Sequence, residues 1–152
     1  MISVIQRCKY ASVIINKSII SEIEEGILLL LGIDSNDQFL DADYLVKKII
    51  TLRIFDDDDN KMNLSIKDIR GSILVVSQFT LCASTKKGRR PSFINAASHE
   101  KGYELYNYFI RMLKDKKFDV HSGKFGAEMD IKLINKGPAT FILDTKKNYN
   151  GC

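Results

Sequence analysis

Two short stretches of the chain combine residue types that could do chemistry. The first is Ser77-Gln78-Phe79-Thr80, which places two hydroxyls and a carboxamide directly after the apolar run 73–76. An apolar core offers no partners to such groups. A strand that ends in them therefore either delivers them to a cleft or uses them to cap its own end, and the segment alone is compatible with both.

The second stretch is 135–140, Asn-Lys-Gly-Pro-Ala-Thr. Gly137 has no side chain and Pro138 has no N–H, so their carbonyls can be presented without obstruction and without a neighbouring proline donor. With the peptide bond between them cis, the two carbonyls could converge on an ammonium group. An ordinary hairpin turn is the other interpretation of the same residues.

Thr80 also suggests a nucleophile, since a hydroxyl activated by a base can attack an ester. No carboxylate lies in residues 77–80, however, and His99 and His121 lie outside the motifs. A threonine hydroxyl without a base is a poor nucleophile at neutral pH. A threonine esterase therefore remains only an alternative hypothesis.

The charge of the chain is mild but unevenly distributed. The 152 residues include 23 basic and 19 acidic side chains, for a formal charge of +4, which does not by itself indicate nucleic-acid binding. Lys86, Lys87, Arg89 and Arg90 nevertheless follow the first stretch closely, where they could bind phosphates. The four aspartates at 56–59 are expected to form a solvated loop.

Cysteine and histidine usage argues against a disulfide framework and a structural zinc site. The three cysteines are widely spaced, without a CxxC motif, and the chain has only two histidines. We expect no metal, no cofactor and a reducing cytoplasmic environment. Cys8 and Cys82 are expected to be small buried hydrophobes, although a thiol hydrolase using Cys82 is a further alternative. No apolar run is long enough for a membrane span.

Hydrophobic periodicity predicts a mixed α/β domain. One helix should follow a capping box of Ser35 and Gln38, and a second should be capped by Ser98. The predicted extended segments are 2–7, 12–16, 27–31, 52–55, 73–76, 118–121, 128–134 and 139–143, with a helical segment around 64–69. The last two strands are expected to pair with each other. Arg7 ends the first strand, and its side chain could lie at the surface or point toward the site.

We therefore predict a single domain of mixed, mostly antiparallel β layers that are partly barrel-like and covered by two main helices. The domain should span residues 1–145, and residues 146–152 should form a polar C-terminal tail.

Four motifs occur together in a fixed order along the chain. They are Ser77-Gln-Phe-Thr-Leu81, Gly88-Arg-Arg-Pro-Ser-Phe93, Gly123-Lys-Phe-Gly-Ala-Glu-Met129 and Asn135-Lys-Gly-Pro-Ala-Thr140. With them, nearly the whole chain resembles the bacterial and eukaryotic type of D-aminoacyl-tRNA deacylase, the D-tyrosyl-tRNA(Tyr) deacylase family.

The resemblance implies a cytoplasmic homodimer that hydrolyses the ester of D-aminoacyl-tRNA and of mischarged glycyl-tRNA, with the fold of that family. Gly137 and Pro138 would form a cis pair that enters the active site of the other subunit and rejects L-amino acids. Water would attack, assisted by the terminal 2′-hydroxyl of the tRNA. The implied catalytic residues are Ser77, Gln78, Phe79 and Thr80, and the implied pocket residues are Phe125 and Met129. Lys86, Lys87, Arg89 and Arg90 would contact tRNA. A non-catalytic RNA-binding module remains the alternative from another functional class.

Overall fold

A six-stranded sheet holds most of the extended structure in the computed structural model, which describes residues 1–148. Its members are β1 (Ile2–Ile15), β2 (Ser18–Ile23), β3 (Gly26–Gly32), β6 (Ser72–Ser77), β7 (Val120–Ser122) and β8 (Asp130–Asp144). The strand order is β2-β1-β3-β6-β7, and β8 pairs with β1. A separate hairpin contains β4 (Arg53–Asp56) and β5 (Met62–Ser65).

Two main helices cover one face of this sheet. They are α1 (Phe39–Thr51) and α2 (His99–Asp115), and a final turn, α3, spans Thr145–Asn148. The buried residues of α1 recur at helical spacing as Ala42, Leu45, Val46 and Ile49. The buried residues of α2 also recur at helical spacing. In addition, the Tyr106 hydroxyl of α2 donates to the Val75 carbonyl of β6 at 2.8 Å. This hydrogen bond fastens α2 over β6.

The sheet separates two apolar clusters because side chains of a strand alternate between its faces. Ile27, Leu29 and Leu31 of β3 pack with the helices. Leu28 packs on the opposite side with Cys8, Ala11 and Val13 of β1. The second half of β1 therefore curls over the far face of the sheet. The fold is the expected mixed α/β domain with a partly barrel-like sheet.

The run 73–76 forms the buried centre of the sheet, as its composition predicts. β6 lies between β3 and β7 and is parallel to both. Parallel strands covered on both faces read as continuous apolar segments. Leu31 pairs with Ser77, so the carboxyl ends of β3 and β6 reach the same edge, and the polar groups after β6 lie there.

Two pairs of predicted strands are each a single long strand, which corrects the sequence analysis. The segments 2–7 and 12–16 belong to the 14-residue β1, and 128–134 and 139–143 belong largely to the 15-residue β8. The halves of β8 do not pair with each other, because both pair with β1, as in Gln6 with Thr140 and Ala11 with Leu133. Register shifts near Cys8 absorb the irregularity without ending either strand.

Two smaller expectations also differ from the structure. The first helix is capped by Gln38 with Asp41 instead of Ser35 with Gln38. The segment around 64–69 holds the end of β5 and a turn closed by Gly71 N–H donating to the Ile66 carbonyl at 3.1 Å. The helical turn α3 includes the first residues of the predicted tail, and residues 149–152 lie outside the described residues, so the tail stays a prediction. Within residues 1–148, no helix is both long and apolar enough to cross a membrane.

Candidate active site

A cavity of about 500 Å³ opens at the edge of the sheet where β3 and β6 end. One wall contains Ser77, Gln78 and Phe79, and the opposite wall contains Phe125 and residues 96–99. Crevices at the carboxyl ends of parallel strands are frequent ligand sites in α/β proteins. The predicted site residues Ser77, Gln78, Phe79, Phe125 and Met129 all line this cavity.

The first wall continues into a 3-10 turn, Phe79–Cys82. Gln78 N–H donates to the Leu31 carbonyl at 2.8 Å, and Leu81 N–H closes the turn on the Gln78 carbonyl at 3.2 Å. The N–H groups of Phe79 and Thr80 precede this first internal hydrogen bond, and a helical turn leaves such groups free for an outside acceptor. The N–H groups of Phe79 and Thr80 therefore have no acceptor within the turn itself.

Thr80 lies next to the cavity but does not line it. Its hydroxyl oxygen accepts a hydrogen bond from the Gln78 carboxamide at 2.5 Å. Among the hydrogen bonds of residues 1–148, none joins this hydroxyl to a histidine or a carboxylate. A carboxamide is not a base, so this geometry does not activate Thr80 as a nucleophile.

The opposite wall is built around the Phe125 ring. The ring packs edge-on to His99 and Tyr103, with centroid separations of 5.3 and 5.6 Å, and tilted against Tyr106 at 5.4 Å. Gly102 of α2 makes this approach possible, since a Cβ there would lie 3.1 Å from the Phe125 ring. Phe125 and His99 thus line the cavity, and the Tyr103 and Tyr106 rings pack behind Phe125.

His99 is a cavity residue that the sequence analysis left outside the motifs. It is the first residue of α2, directly after Ser98, whose hydroxyl accepts from Lys101 N–H at 3.3 Å. A Cβ at Gly126 would lie 3.1 Å from His99 Nε2, so the imidazole closes over that backbone. The sequence signal that could have indicated His99 is the predicted helix cap at Ser98, because it places His99 at the start of α2.

The basic side chains extend from a loop whose two ends both touch the cavity wall. The loop leaves the 3-10 turn and returns at Ala96 and Ala97, with Ser84 and Ser92 bridged by backbone hydrogen bonds of 2.8 and 2.9 Å. Lys86, Lys87, Arg89 and Arg90 are all exposed on it. A polyanion bound along this loop would reach the cavity mouth.

Gly137 and Pro138 lie away from this cavity within one chain. They are exposed, and the peptide bond between them is cis, as the resemblance implies. Gly137 lies between Asn135, paired with Cys8, and Thr140, paired with Gln6, which places it beside Arg7. Arg7 pairs with Ile27 of β3, whereas Ser77 pairs with Leu31 of the same strand. Four residues separate Ile27 from Leu31, so Gly137 lies about 13 Å from Ser77 along the strand direction.

Arg7 is not a surface charge, because its side chain points toward Gly137 and Pro138, which bulge from β8 and are called the Gly-Pro turn below. Its side chain is buried, and Nε donates to the Lys136 carbonyl at 3.0 Å while one terminal nitrogen lies 3.5 Å from the Gly137 carbonyl. The other terminal nitrogen donates to the Ile54 carbonyl at 2.8 Å. The contacted residues are far from Arg7 in sequence, so periodicity could not reveal them.

The two described cysteines are poor candidates for a nucleophile. Cys8 and Cys82 are buried, as expected. Burial raises the pKa of each thiol to about 11, so both stay protonated at neutral pH. The thiol-hydrolase alternative therefore has no reactive group at Cys82.

Comparison with known proteins gives consistent matches over nearly the whole chain. Residues 4–144 match the family described as D-Tyr-tRNA(Tyr) deacylase. A Thermosipho melanesiensis protein named D-aminoacyl-tRNA deacylase is 51% identical over 150 residues, covering 98% of this chain and 100% of the relative. A Pseudoalteromonas translucida protein of the same name is 52% identical over 143 residues, covering 94% and 99%. The solved structure titled c-Myc DNA Unwinding Element Binding Protein superposes with a TM-score of 0.89 at 38% identity, covering 95% and 98%.

Proposed function

The chain belongs to the D-Tyr-tRNA(Tyr) deacylase family, and on that premise we propose that it removes D-amino acids and mischarged glycine from tRNA. It is a hydrolase of aminoacyl-tRNA esters, like the relatives that carry the deacylase name. The observation that carries the finer proposal is the cavity in which the Ser77–Phe79 wall faces Phe125 and Met129. The aminoacyl end of tRNA would bind there.

The proposed site is shared between two copies of the chain. Gly137 and Pro138 do not line the cavity of their own chain, and they lie about 13 Å from Ser77 along the strand direction. Both are exposed and free to enter a neighbouring molecule. A two-fold dimer would let each copy supply its turn to the cavity of the other, because such an interface is reciprocal.

The turn would select the amino acid through its main chain. The carbonyls of Gly137 and Pro138 hold the ammonium group of the substrate, which leaves two placements for the α-hydrogen and side chain. A D side chain then points outward, whereas an L side chain collides with backbone. Glycine has no side chain to collide and is accepted as well. The Arg7 contacts would keep this turn in place while it binds the amine.

The ester would be cleaved by water and not by a side chain of the protein. The N–H groups of Phe79 and Thr80 stabilise the oxyanion, a role worth about 3–4 kcal/mol per donor. Gln78 and Thr80, already hydrogen-bonded to each other, orient the ester and the terminal adenosine. The adjacent 2′-hydroxyl of that adenosine assists the attacking water. Lys86, Lys87, Arg89 and Arg90 contact the acceptor-stem phosphates.

One assay separates this proposal from its alternatives. D-tyrosyl-tRNA, L-tyrosyl-tRNA, glycyl-tRNA and a free D-tyrosine ester are offered side by side, and release of amino acid is followed. The proposal expects turnover of the D and glycyl substrates only. Binding without turnover would indicate the RNA-binding module. Equal turnover of the free ester, with an acyl-enzyme trapped at Thr80, would indicate the threonine esterase.

A complementation experiment tests the shared site. Gly137→Phe adds a bulky side chain to the exposed turn and should block the cavity of the partner, while Gly32→Ala should disturb the 3-10 turn of its own cavity. In an equimolar mixture half of the dimers are mixed, and one of their two sites has both parts intact, so about one quarter of the wild-type sites return. A mixture that is no more active than the mean of the two variants would rule out sharing.

A further inference from the structure

Asp56 makes a contact that sets it apart from the other aspartates of the acidic run. It ends β4 in the small hairpin, and its Oδ1 lies 3.0 Å from a terminal nitrogen of Arg7. Asp57, by contrast, is held within its own loop by Lys61 N–H at 2.9 Å and by the Asn63 side chain. The expectation of a solvated loop at 56–59 is therefore incorrect for Asp56.

The guanidinium of Arg7 connects the hairpin to the Gly-Pro turn. One terminal nitrogen contacts both Asp56 and the Ile54 carbonyl, while Nε and the other terminal nitrogen face the carbonyls of Lys136 and Gly137. The group is planar and its donors have fixed relative directions. Holding it on the hairpin side therefore determines where the donors that face the turn lie.

We infer that Asp56 is a positioning residue for the stereochemical selection, because it fixes the Arg7 guanidinium, which donates to the Lys136 carbonyl and lies against the Gly137 carbonyl. This inference rests on the proposed function. The Asp56 side chain is 32% exposed and the Arg7 side chain 3%, so the carboxylate stands between a buried cation and solvent. If the Asp56 charge is removed, the buried guanidinium loses its ion-pair partner, and turning toward water becomes more favourable for it. The Arg7 contacts that hold the Gly-Pro turn are then weakened.

The diagnostic variant is Asp56→Asn, with Asp58→Asn as the matched control. Both remove one negative charge from the acidic run 56–59, but Asp58 is exposed and has no contact with Arg7 among the ion pairs and hydrogen bonds of residues 1–148. The measured quantity is the ratio of single-turnover rates on D- and L-tyrosyl-tRNA. We expect this ratio to be roughly tenfold lower in Asp56→Asn. Misplacing a group that positions the substrate by about 1 Å can lower a rate by up to about 100-fold, and a smaller shift of the Gly-Pro turn should have a smaller effect.

Asp56→Glu should restore most of the ratio because it returns the carboxylate. An unchanged ratio in Asp56→Asn, or an equal decrease in Asp58→Asn, would overturn the inference. Thermal melts establish that each variant is folded at the assay temperature, and Asp56→Ser replaces Asp56→Asn if that variant does not fold. A wild-type chain without D-selective hydrolysis would instead contradict the proposed function itself, so the two failures are distinguishable.

Discussion

Substituting Gly32 by alanine should slow the reaction by moving the wall that carries the oxyanion donors. Gly32 ends β3 and lies directly against the 3-10 turn. A Cβ at this position would lie 2.8 Å from Leu81 Cβ and 3.1 Å from the Gln78 carbonyl oxygen. Neither atom is the end of a flexible side chain, so the turn itself has to shift.

The size of the shift follows from ordinary contact distances. Carbon atoms in contact prefer about 3.5–4.0 Å, so a 2.8 Å approach to Leu81 requires a displacement of at least about 0.7 Å. Because a misplacement of about 1 Å can cost 100-fold in rate, we expect about a tenfold or greater decrease in single-turnover deacylation. Overpacking should also lower the free energy of unfolding by about 1–3 kcal/mol.

Gly71→Ala is the matched control for loss of stability. A Cβ at Gly71 would lie 3.1 Å from the Glu25 carbonyl oxygen, the same distance as the Gly32 Cβ from the Gln78 carbonyl, and 2.7 and 2.8 Å from Ile66 Cδ1 and Ile69 Cδ1. Gly71 precedes β6 at the end of the strand opposite the cavity. The assay measures D-tyrosyl-tRNA deacylation under enzyme excess, with a thermal melt for each variant. Equal rates in Gly32→Ala and wild type, or equal slowing in Gly71→Ala, would refute the reasoning.

Three other outcomes are expected. Thr80→Ala should keep measurable single-turnover activity, whereas deacylation of a tRNA ending in 2′-deoxyadenosine should lose most of its rate. Complete loss of activity in Thr80→Ala, together with a trapped acyl-threonine in the wild type, would instead identify Thr80 as the nucleophile. Neutralising Lys87 and Arg89 together should weaken tRNA binding and reduce the slope of log affinity against log salt by about 2 without altering chiral preference. Because burial raises the pKa of Cys82 to about 11, iodoacetamide at pH 7.5 should leave that thiol unmodified and the activity unchanged, and peptide mapping by mass spectrometry would detect the contrary.

The parts of the fold that follow from local pattern could be predicted from the sequence. The unbroken run 73–76 predicted a buried central strand, and Ser98 predicted the start of α2; both are confirmed. The long strands β1 and β8 were missed because each continues through irregular pairing near Cys8. Local sequence gives no sign of whether an interrupted apolar pattern continues along one partner or folds back as a hairpin.

The sequence predicted one wall of the candidate site but not the contacts that hold the site in place. The Ser77 stretch stood out because polar groups followed a buried strand, whereas Phe125 and Met129 were expected only from the resemblance. Arg7 and His99 make contacts across the fold, and the Arg7 contact to Gly137 spans 130 residues. Such contacts depend on three-dimensional packing, so spacing within one segment carries no signal for them.

The most direct test of the account is the chiral preference of a chain in which the turn is altered. In the variant Gly137→Ala, Pro138→Ala, the new Cβ at Gly137 meets only the Asn135 side chain, at 3.3 Å, so the fold should tolerate it. We predict that the ratio of deacylation rates on D- and L-tyrosyl-tRNA falls toward unity in this variant, because the two carbonyls proposed to hold the substrate ammonium group no longer have their original placement. An undiminished preference for the D substrate in this variant would contradict it.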